Sequence, residues 1–268
     1  MQIKNKSTKT QRIFELDFLR GILIILMCLE HLFYFMTNYV NLGFWDPNGK
    51  STAIQNLGIM AYDSLRGTPV AYRLLHVAWC VFFFLSGISM TFSHKNYKRA
   101  LMLFVFFLIL YTVYALTSKY SKYFIMLEFG IFIGYCLYTL FFQLIRKLPL
   151  WFHIVLTVAI LALTIYSQLS DFNVELSPFH WFGISKKLNI SYYDSWEMFP
   201  SLFFFATGGL VGRTVYKERK GLFQKLDKYL IFTPFTWFGK HSIQIYIGSG
   251  ILYPVVFILL TPIINAGL

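Results

Sequence analysis

Charge is scarce in this chain. Only 13% of its 268 residues are Asp, Glu, Lys or Arg, while 57% are hydrophobic. Acid is scarcer still, with 12 acidic against 24 basic residues. A soluble domain of this length carries roughly twice that charged fraction, so the composition excludes an ordinary water-soluble fold. Three cysteines, Cys28, Cys80 and Cys136, have neither metal-ligand spacing nor the pattern of a disulfide framework. All three fall in apolar runs, where a thiol reads as a small buried apolar group. No metal site is expected. There is no internal repeat and no inverted pair of broken helices, which argues against a common transporter architecture.

What is abundant is apolar sequence. Seven stretches approach or exceed the ~20 residues that cross a bilayer: 18–40, 74–93, 100–117, 123–145, 149–168, 197–216 and 241–263. A shorter piece, Tyr229 to Phe238, reads as a half-helix or a surface helix and would make eight. The expected fold is an all-α polytopic membrane protein in the cell membrane. It comprises a basic tail over 1–17 and one transmembrane domain over 18–265. The first run is too long for a signal peptide and is expected to be retained.

Lys and Arg placement sets the expected orientation. With the N-terminus inside, sixteen of the 24 basic residues fall in inner segments, seven in outer ones, and Lys240 is undecided. This predicts a cytoplasmic N-terminus and an outer C-terminus. The net charge of +12 is then an orientation signal and a match to anionic lipid headgroups, not a nucleic-acid footprint. Two long outer loops are expected, over 41–72 and 169–196, the first with a turn at Asp46-Pro47-Asn48-Gly49.

The chemistry concentrates in the first apolar run. Arg20 and His31 are eleven residues apart, so they return to nearly one helix face about three turns on, ~16 Å along the axis. Ionisable groups at membrane depth are expensive and mark function. Asp17 can cap this helix or pair with Arg20 three residues on. Arg20 is a candidate phosphate grip through charge-assisted hydrogen bonds. His31 is a candidate general base; the bland reading is a hydrogen bond to another helix. Glu30 beside it points ~100° away, so the partner orienting the imidazole is sought elsewhere, among Glu128, Asp194 and His76. The glycines at 208, 209 and 212 read as positions of close helix packing. Gly239-Lys240-His241-Ser242, at the inner end of the last run, has the make-up of an anion-binding helix start. Arg213 is a further inner cation.

Several blocks together resemble a known family. Arg12 through Leu16-Asp17-Phe18-Leu19-Arg20-Gly21 to Met27 and His31 is similar to the opening of the heparan-α-glucosaminide N-acetyltransferase catalytic-domain family in its short prokaryotic form. The arginine–ten residues–histidine spacing is also that of the wider transmembrane acyltransferase superfamily. Leu85-Ser86-Gly87-Ile88-Ser89 resembles the family's second-helix signature. Asp194 with Phe199-Pro200 and Gly208-Gly209-Leu210-Val211-Gly212-Arg213 resembles its sixth-helix block, and Gly239 through Tyr246 its final one. The chain departs at Phe132, where the family often has His. It departs again at Gly248-Ser249-Gly250, where the family often has His-Gln-Pro. His31 is left as the main base candidate.

The resemblance implies transfer of an acetyl (acyl) group from acetyl-CoA to a sugar hydroxyl or amine on a glycan or glycolipid at or beyond the membrane. Arg20, Lys240, His241, Arg213 and Asp17 would serve the donor; His31, Glu30, Asp194 and Glu128 would serve catalysis. Membrane lipids are expected partners, nucleic acid is not, and a homo-oligomer is compatible with the sequence. The competing readings are a proton-coupled transporter relaying through Glu30, His31 and Glu128, and a structural relative that keeps the fold without the activity.

Overall fold

The computed structural model describes residues 12–41, 53–66, 69–93, 96–118, 131–169 and 198–265. Among these residues the secondary structure is entirely helical. The elements are α1 (Phe14–Asn41), α2 (Ala53–Arg66), α3 (Pro69–Phe92), α4 (Asn96–Ser118), α5 (Ile131–Ile145), α6 (Leu150–Leu169), α7 (Met198–Thr214), α8 (Thr233–Lys240) and α9 (Ser242–Asn265). Two single 3₁₀ turns, Gln224–Lys228 and Leu230–Phe232, precede α8.

Every apolar run found in the sequence carries a helix. The fourth is described from Ile131, where α5 begins; 123–130, with Glu128, lie outside the described residues. Asp194 also lies outside them. One element was not expected. α2 falls within the stretch read as an outer loop over 41–72, and it packs against α1. Its polar residues, Gln55, Asn56, Asp63 and Ser64, left it below the hydropathy of a span, which is why length-of-run reasoning passes over it.

The described helices form two compact units, Met1–Trp79 with Arg219–Leu268, and Cys80–Glu218. The first is organised around α1, which packs against α2, α8 and α9. Glu15 and Asp17 in the first turn of α1 suit the positive end of its dipole. Ile13, Leu16, Ile24 and Met27 recur at helical spacing and are buried. Phe14 and Phe18 meet Phe232 at 5.8 and 5.3 Å between ring centres, in edge-on geometry. α8 runs antiparallel to α1: Phe235 meets Gly21, and four residues on Gly239 meets Asp17, backbone against backbone. The short apolar piece at 229–238 is therefore a half-helix laid on the first turns of α1.

The second unit is held by an aromatic cluster. Phe83, Tyr138, Phe142 and Phe205 are almost wholly buried, and Tyr138 contacts Phe83 at 5.6 Å and Phe205 at 5.7 Å. α4 and α5 join through Ala100, Leu103 and Cys136. Gly87 lies against the Phe205 carbonyl, Gly208 against the Phe84 carbonyl, and Gly212 against Thr91, so α3 and α7 touch through their backbones. Those contacts bear out packing as the use of the glycines in 208–212.

α6 is one of two helices, Leu74–Phe92 and Leu150–Ser167, that are long and apolar enough to cross a membrane among the described residues. Its pattern says more than its length. The buried face carries His153, Thr157, Ile160 and, two turns on, Ser167; the exposed face carries Trp151, Val155, Val158, Ile165 and Tyr166. A helix with polar groups inward and bulky apolar groups outward is inside out for water and ordinary for lipid.

Arg146 donates from Nη1 to the Ser93 carbonyl and to Gln143 Oε1, both at 3.0 Å. Arg213 donates to the Leu148 carbonyl at 2.8 Å. These bonds bring the α3 end, the α5–α6 turn and the α7 end to one end of this unit. All three are segments predicted to lie on the inner side.

Candidate functional site

The first unit assembles most of the predicted donor residues at the start of α1. Arg20 Nη1 donates to Asp17 Oδ1 at 3.2 Å, and Arg12 Nη1 stands 3.8 Å from Asp17 Oδ2. Lys240, at the end of α8 and exposed, acts electrostatically on the same carboxylate, as does Asp227 with opposite sign. The pairing of Asp17 with Arg20 is the one the i,i+3 spacing predicts. Burial pushes the Asp17 carboxyl above its ordinary range, against the pull of Arg20, Arg12 and Lys240 in that order. Three cations around one such carboxyl leave the cluster net positive.

Gly21 and Gly239 make this cluster, and for a reason the sequence did not disclose. A Cβ on Gly239 would overlap the Asp17 carbonyl oxygen and stand 3.0 Å from the Gly21 nitrogen; a Cβ on Gly21 would overlap the Phe235 carbonyl oxygen. Only residues without side chains allow α1 and α8 to meet this closely, and the meeting carries Lys240 to the Asp17–Arg20 pair. Within the Gly239-Lys240-His241-Ser242 block, Gly239 itself is buried in α8 and packs on α1, while Ser242 begins α9. His241, which follows, is held in place by its Nδ1 at 2.9 Å from the Trp237 carbonyl and by its ring over Trp237 at 4.7 Å.

Further along α1, His31 is half-buried and its ring lies 5.7 Å from that of Tyr246 on α9, tilted by 54°. Glu30 is 2% exposed. Tyr253 Oη donates to the Cys28 carbonyl at 3.1 Å, and Ser249, also buried, donates to the Tyr246 carbonyl at 2.9 Å. His31 therefore looks onto a seam with α9 lined by Tyr246, Ser249 and Tyr253. Of the three partners expected for its imidazole, Glu128 and Asp194 lie outside the described residues, and His76 is exposed on α3. Among the described residues Tyr246 is one neighbour of the ring, a residue that stands at the end of the last sequence block.

Arg213 belongs to the other unit and is engaged there. Besides Leu148, its Nη1 reaches His153 Nδ1 at 3.4 Å. A guanidinium can only donate, so Nδ1 accepts and the proton of a neutral His153 sits on Nε2. The Ala206 backbone offers that ring a weak polar contact, and Nε2 has no hydrogen bond of good geometry. Phe132, at the position where the resemblance led one to look for His, packs edge-on against Phe106 at 4.9 Å. Among the described residues no group of His, Cys, Asp or Glu could hold a metal ion.

The described chain is thus helical, with a lipid-suited outer face on α6 and a basic cluster at the start of the helix that also carries His31. The family model described as heparan-alpha-glucosaminide N-acetyltransferase, catalytic, matches residues 51–250. The chain belongs to that family of membrane acetyltransferases. The match includes α8 and the first turns of α9 and begins after Arg20 and His31. No curated protein and no solved structure matches the chain.

Proposed function

We propose that this protein is an integral membrane acetyltransferase that moves an acetyl group from cytoplasmic acetyl-CoA to a sugar hydroxyl or amine at or beyond the membrane. The observation that carries the reading is the α1–α8 crossing, which gathers Arg20, Lys240 and Arg12 around Asp17 at one end of the helix that bears His31.

Arg20 and Lys240 would bind the nucleotide phosphates of the donor by charge-assisted hydrogen bonds. Arg12, whose side chain is 64% exposed, extends the positive field outward. Asp17 orients Arg20 and keeps the site from binding anions indiscriminately. The pantetheine arm would run inward along α1 and bring the thioester to His31. There the imidazole takes the acceptor's proton as its oxygen or nitrogen attacks the thioester carbonyl; the C–S bond breaks, and the departing CoA thiolate takes that proton from the imidazolium and leaves as the thiol. Tyr246 packs against His31 and limits its ring to a narrow range of orientations. Glu30, buried at the adjacent position but ~100° around the helix, would exchange a proton with His31 only through an intervening group.

The membrane frame of this reading is a single domain with about seven spans over 18–265, N-terminus inside and C-terminus outside. It is supported by helices at all seven apolar runs and by the gathering of predicted inner segments at one end of each unit. A transporter or a catalytically silent relative remains the contrasting outcome of one experiment. Binding of acetyl-CoA to the purified protein in detergent is compared between wild type and Arg20→Ala. Saturable binding that weakens in the variant and with added salt is expected. No binding to the folded wild-type protein at millimolar acetyl-CoA would overturn the proposal.

A further inference from the structure

The segment between α7 and α8 presents an unusual surface. Over 219–231 it carries Arg219, Lys220, Lys225 and Lys228 against a single acidic residue, Asp227. Leu222, Phe223, Leu226, Tyr229, Leu230 and Ile231 of the same segment are all exposed, Leu230 at 86% and Ile231 at 73%. Large apolar side chains this exposed, on a short stretch and interleaved with lysines, mark an interaction site.

The segment is not a loose tail. Its backbone is fastened to the start of α1 at several points. Glu15 Oε1 accepts the Leu222 N–H at 2.6 Å, and Gln224 Oε1 accepts the Phe14 N–H at 3.5 Å. Phe232 closes the fastening by packing on Phe14 and Phe18. The inner side of the segment thus consists of Gln224, Phe232 and the Leu222 backbone. The outer side keeps the exposed apolar groups, with Lys225 and Lys228 also exposed. The fastening point is the level at which the apolar run of α1 begins, where a spanning helix meets the headgroups.

We infer that the segment 221–231 is an interfacial anchor that lies on the protein's own bilayer and binds anionic phospholipid headgroups. The apolar side chains enter the boundary between headgroups and acyl chains, and Lys225 and Lys228, with Arg219 and Lys220, meet lipid phosphates. Charge complementarity selects this occupant: four cations against one carboxylate suit a negative lipid surface and repel a second copy of the same segment. Trp237, half exposed just beyond, is a residue type that concentrates at this depth. Through Glu15 and Phe232 the anchor fixes the depth of the first turn of α1. It is independent of the catalytic reading, because it rests on no property of Arg20 or His31.

The test uses the full chain in nanodiscs of phosphatidylcholine alone or mixed with phosphatidylglycerol. A nitroxide is placed by Leu230→Cys, with Cys28, Cys80 and Cys136 replaced by Ala. Its collisions with oxygen and with a water-soluble nickel chelate report immersion. The immersed component is expected to dominate when phosphatidylglycerol is present. Lys225→Gln with Lys228→Gln should shift the ratio of immersed to aqueous components by up to about thirtyfold, at roughly fivefold per cation. The wild-type chain gives a second reading without labels: tryptic cleavage after Lys225 and Lys228 should slow by a similar factor when phosphatidylglycerol is added. A label that is aqueous in both lipids, with cleavage equally fast in both, would overturn the inference. So would protection that follows protein concentration and not lipid charge, which would assign the surface to a second copy.

Discussion

Replacing Gly239 by Ala puts one methyl group where the structure has a carbonyl oxygen. The new Cβ overlaps the Asp17 oxygen, and the neighbouring Gly21 nitrogen is 3.0 Å away. Both are backbone atoms of one helix turn, so no side chain can swing aside to make room. The α1–α8 crossing must open by on the order of 1–2 Å to reach ordinary contact distance, which is about 3.5 Å. Overpacking of this kind costs about 1–3 kcal/mol where flexible side chains absorb it, and the upper end is expected here. The displacement moves Lys240, the next residue, away from the Asp17–Arg20 pair. Because ~1 Å of misplacement can cost about a hundredfold in a positioned reaction, acetyl-CoA affinity and transfer should fall further than stability. Gly21→Ala opens the same crossing from the other side at Phe235 and should give the same phenotype. The double variant should cost less than the sum of the two, since one displacement relieves both overlaps.

The control is internal. Gly248 and Gly250 lie in α9, and a Cβ on either meets nothing within 4 Å. Alanine there removes only backbone freedom and should leave stability unchanged or raise it by up to about 1 kcal/mol. Thermal unfolding in detergent and titration with acetyl-CoA, run on all four single variants, separate the two classes. Gly21→Ala and Gly239→Ala proteins with wild-type melting and wild-type donor affinity would refute the crossing.

His31→Ala should lower transfer by about 10²–10⁴-fold while leaving acetyl-CoA binding largely intact, read by product formation against binding on the same preparation; unchanged turnover would remove His31 from the mechanism. Asp17→Asn should bind acetyl-CoA more tightly at neutral pH, because it leaves the cluster one negative charge short. Folding raises the Asp17 pKa, so in wild type the carboxyl protonates as pH falls through that raised value and donor affinity should rise there. The ratio of the two proteins' affinities cancels the donor's own titration, and a flat ratio across acid pH would count against the site. The same raised value means that wild type loses stability as pH rises from the ordinary carboxylate value through the folded one, a loss Asp17→Asn should not show. Glu15→Ala removes the buried acceptor of the Leu222 N–H and should cost about 1–3 kcal/mol. Faster tryptic cleavage at Lys225 and Lys228 would report the loosened segment, and unchanged cleavage would show that Gln224 and Phe232 hold it without Glu15.

The helices were legible because each apolar run exceeds what a soluble helix needs and lipid-facing positions tolerate no interruption. α2 was not, since its apolar residues recur at helical spacing over only 14 residues and, broken by Gln55, Asn56 and Asp63, form no run long enough to read as a span. The Asp17–Arg20 pair was legible because both residues lie on one helix three apart, where local geometry fixes the contact. The contacts of Lys240 with that pair and of Tyr246 with His31 were not. They depend on how α8 and α9 cross α1; for α8 that is set by backbone overlap at Gly21 and Gly239, far apart in sequence, and for α9 by side-chain contacts such as Tyr246 on His31. A glycine read alone is ambiguous between a cradle for a ligand and a contact between helices. Gly239 shows the ambiguity: the donor-bearing residues after it point to the first use, and its own contacts with Asp17 and Gly21 show the second.

The region matched by the family and the helix carrying the proposed reactive groups do not coincide, and the packing accounts for the division. Arg20 and His31 sit on α1, before residue 51, but every surface that orients α1 in its unit comes from later in the chain: α2, the Gly221–Phe232 segment, α8 and α9. α1 contributes the proposed cation, Arg20, and the proposed base, His31, at a spacing that any straight helix preserves. Where they point, and what meets them, is decided by Gly239 against Asp17, by Phe235 against Gly21 and by Tyr246 against His31. A chain cut at residue 51 would therefore retain the walls of the site without its chemistry. Adding back a separate peptide of residues 1–50 is expected to restore acetyl-CoA binding if α1 docks through these contacts. Failure of that peptide to bind, when Gly239→Ala in the full chain also has no effect on donor affinity, would break the link between the crossing and the site.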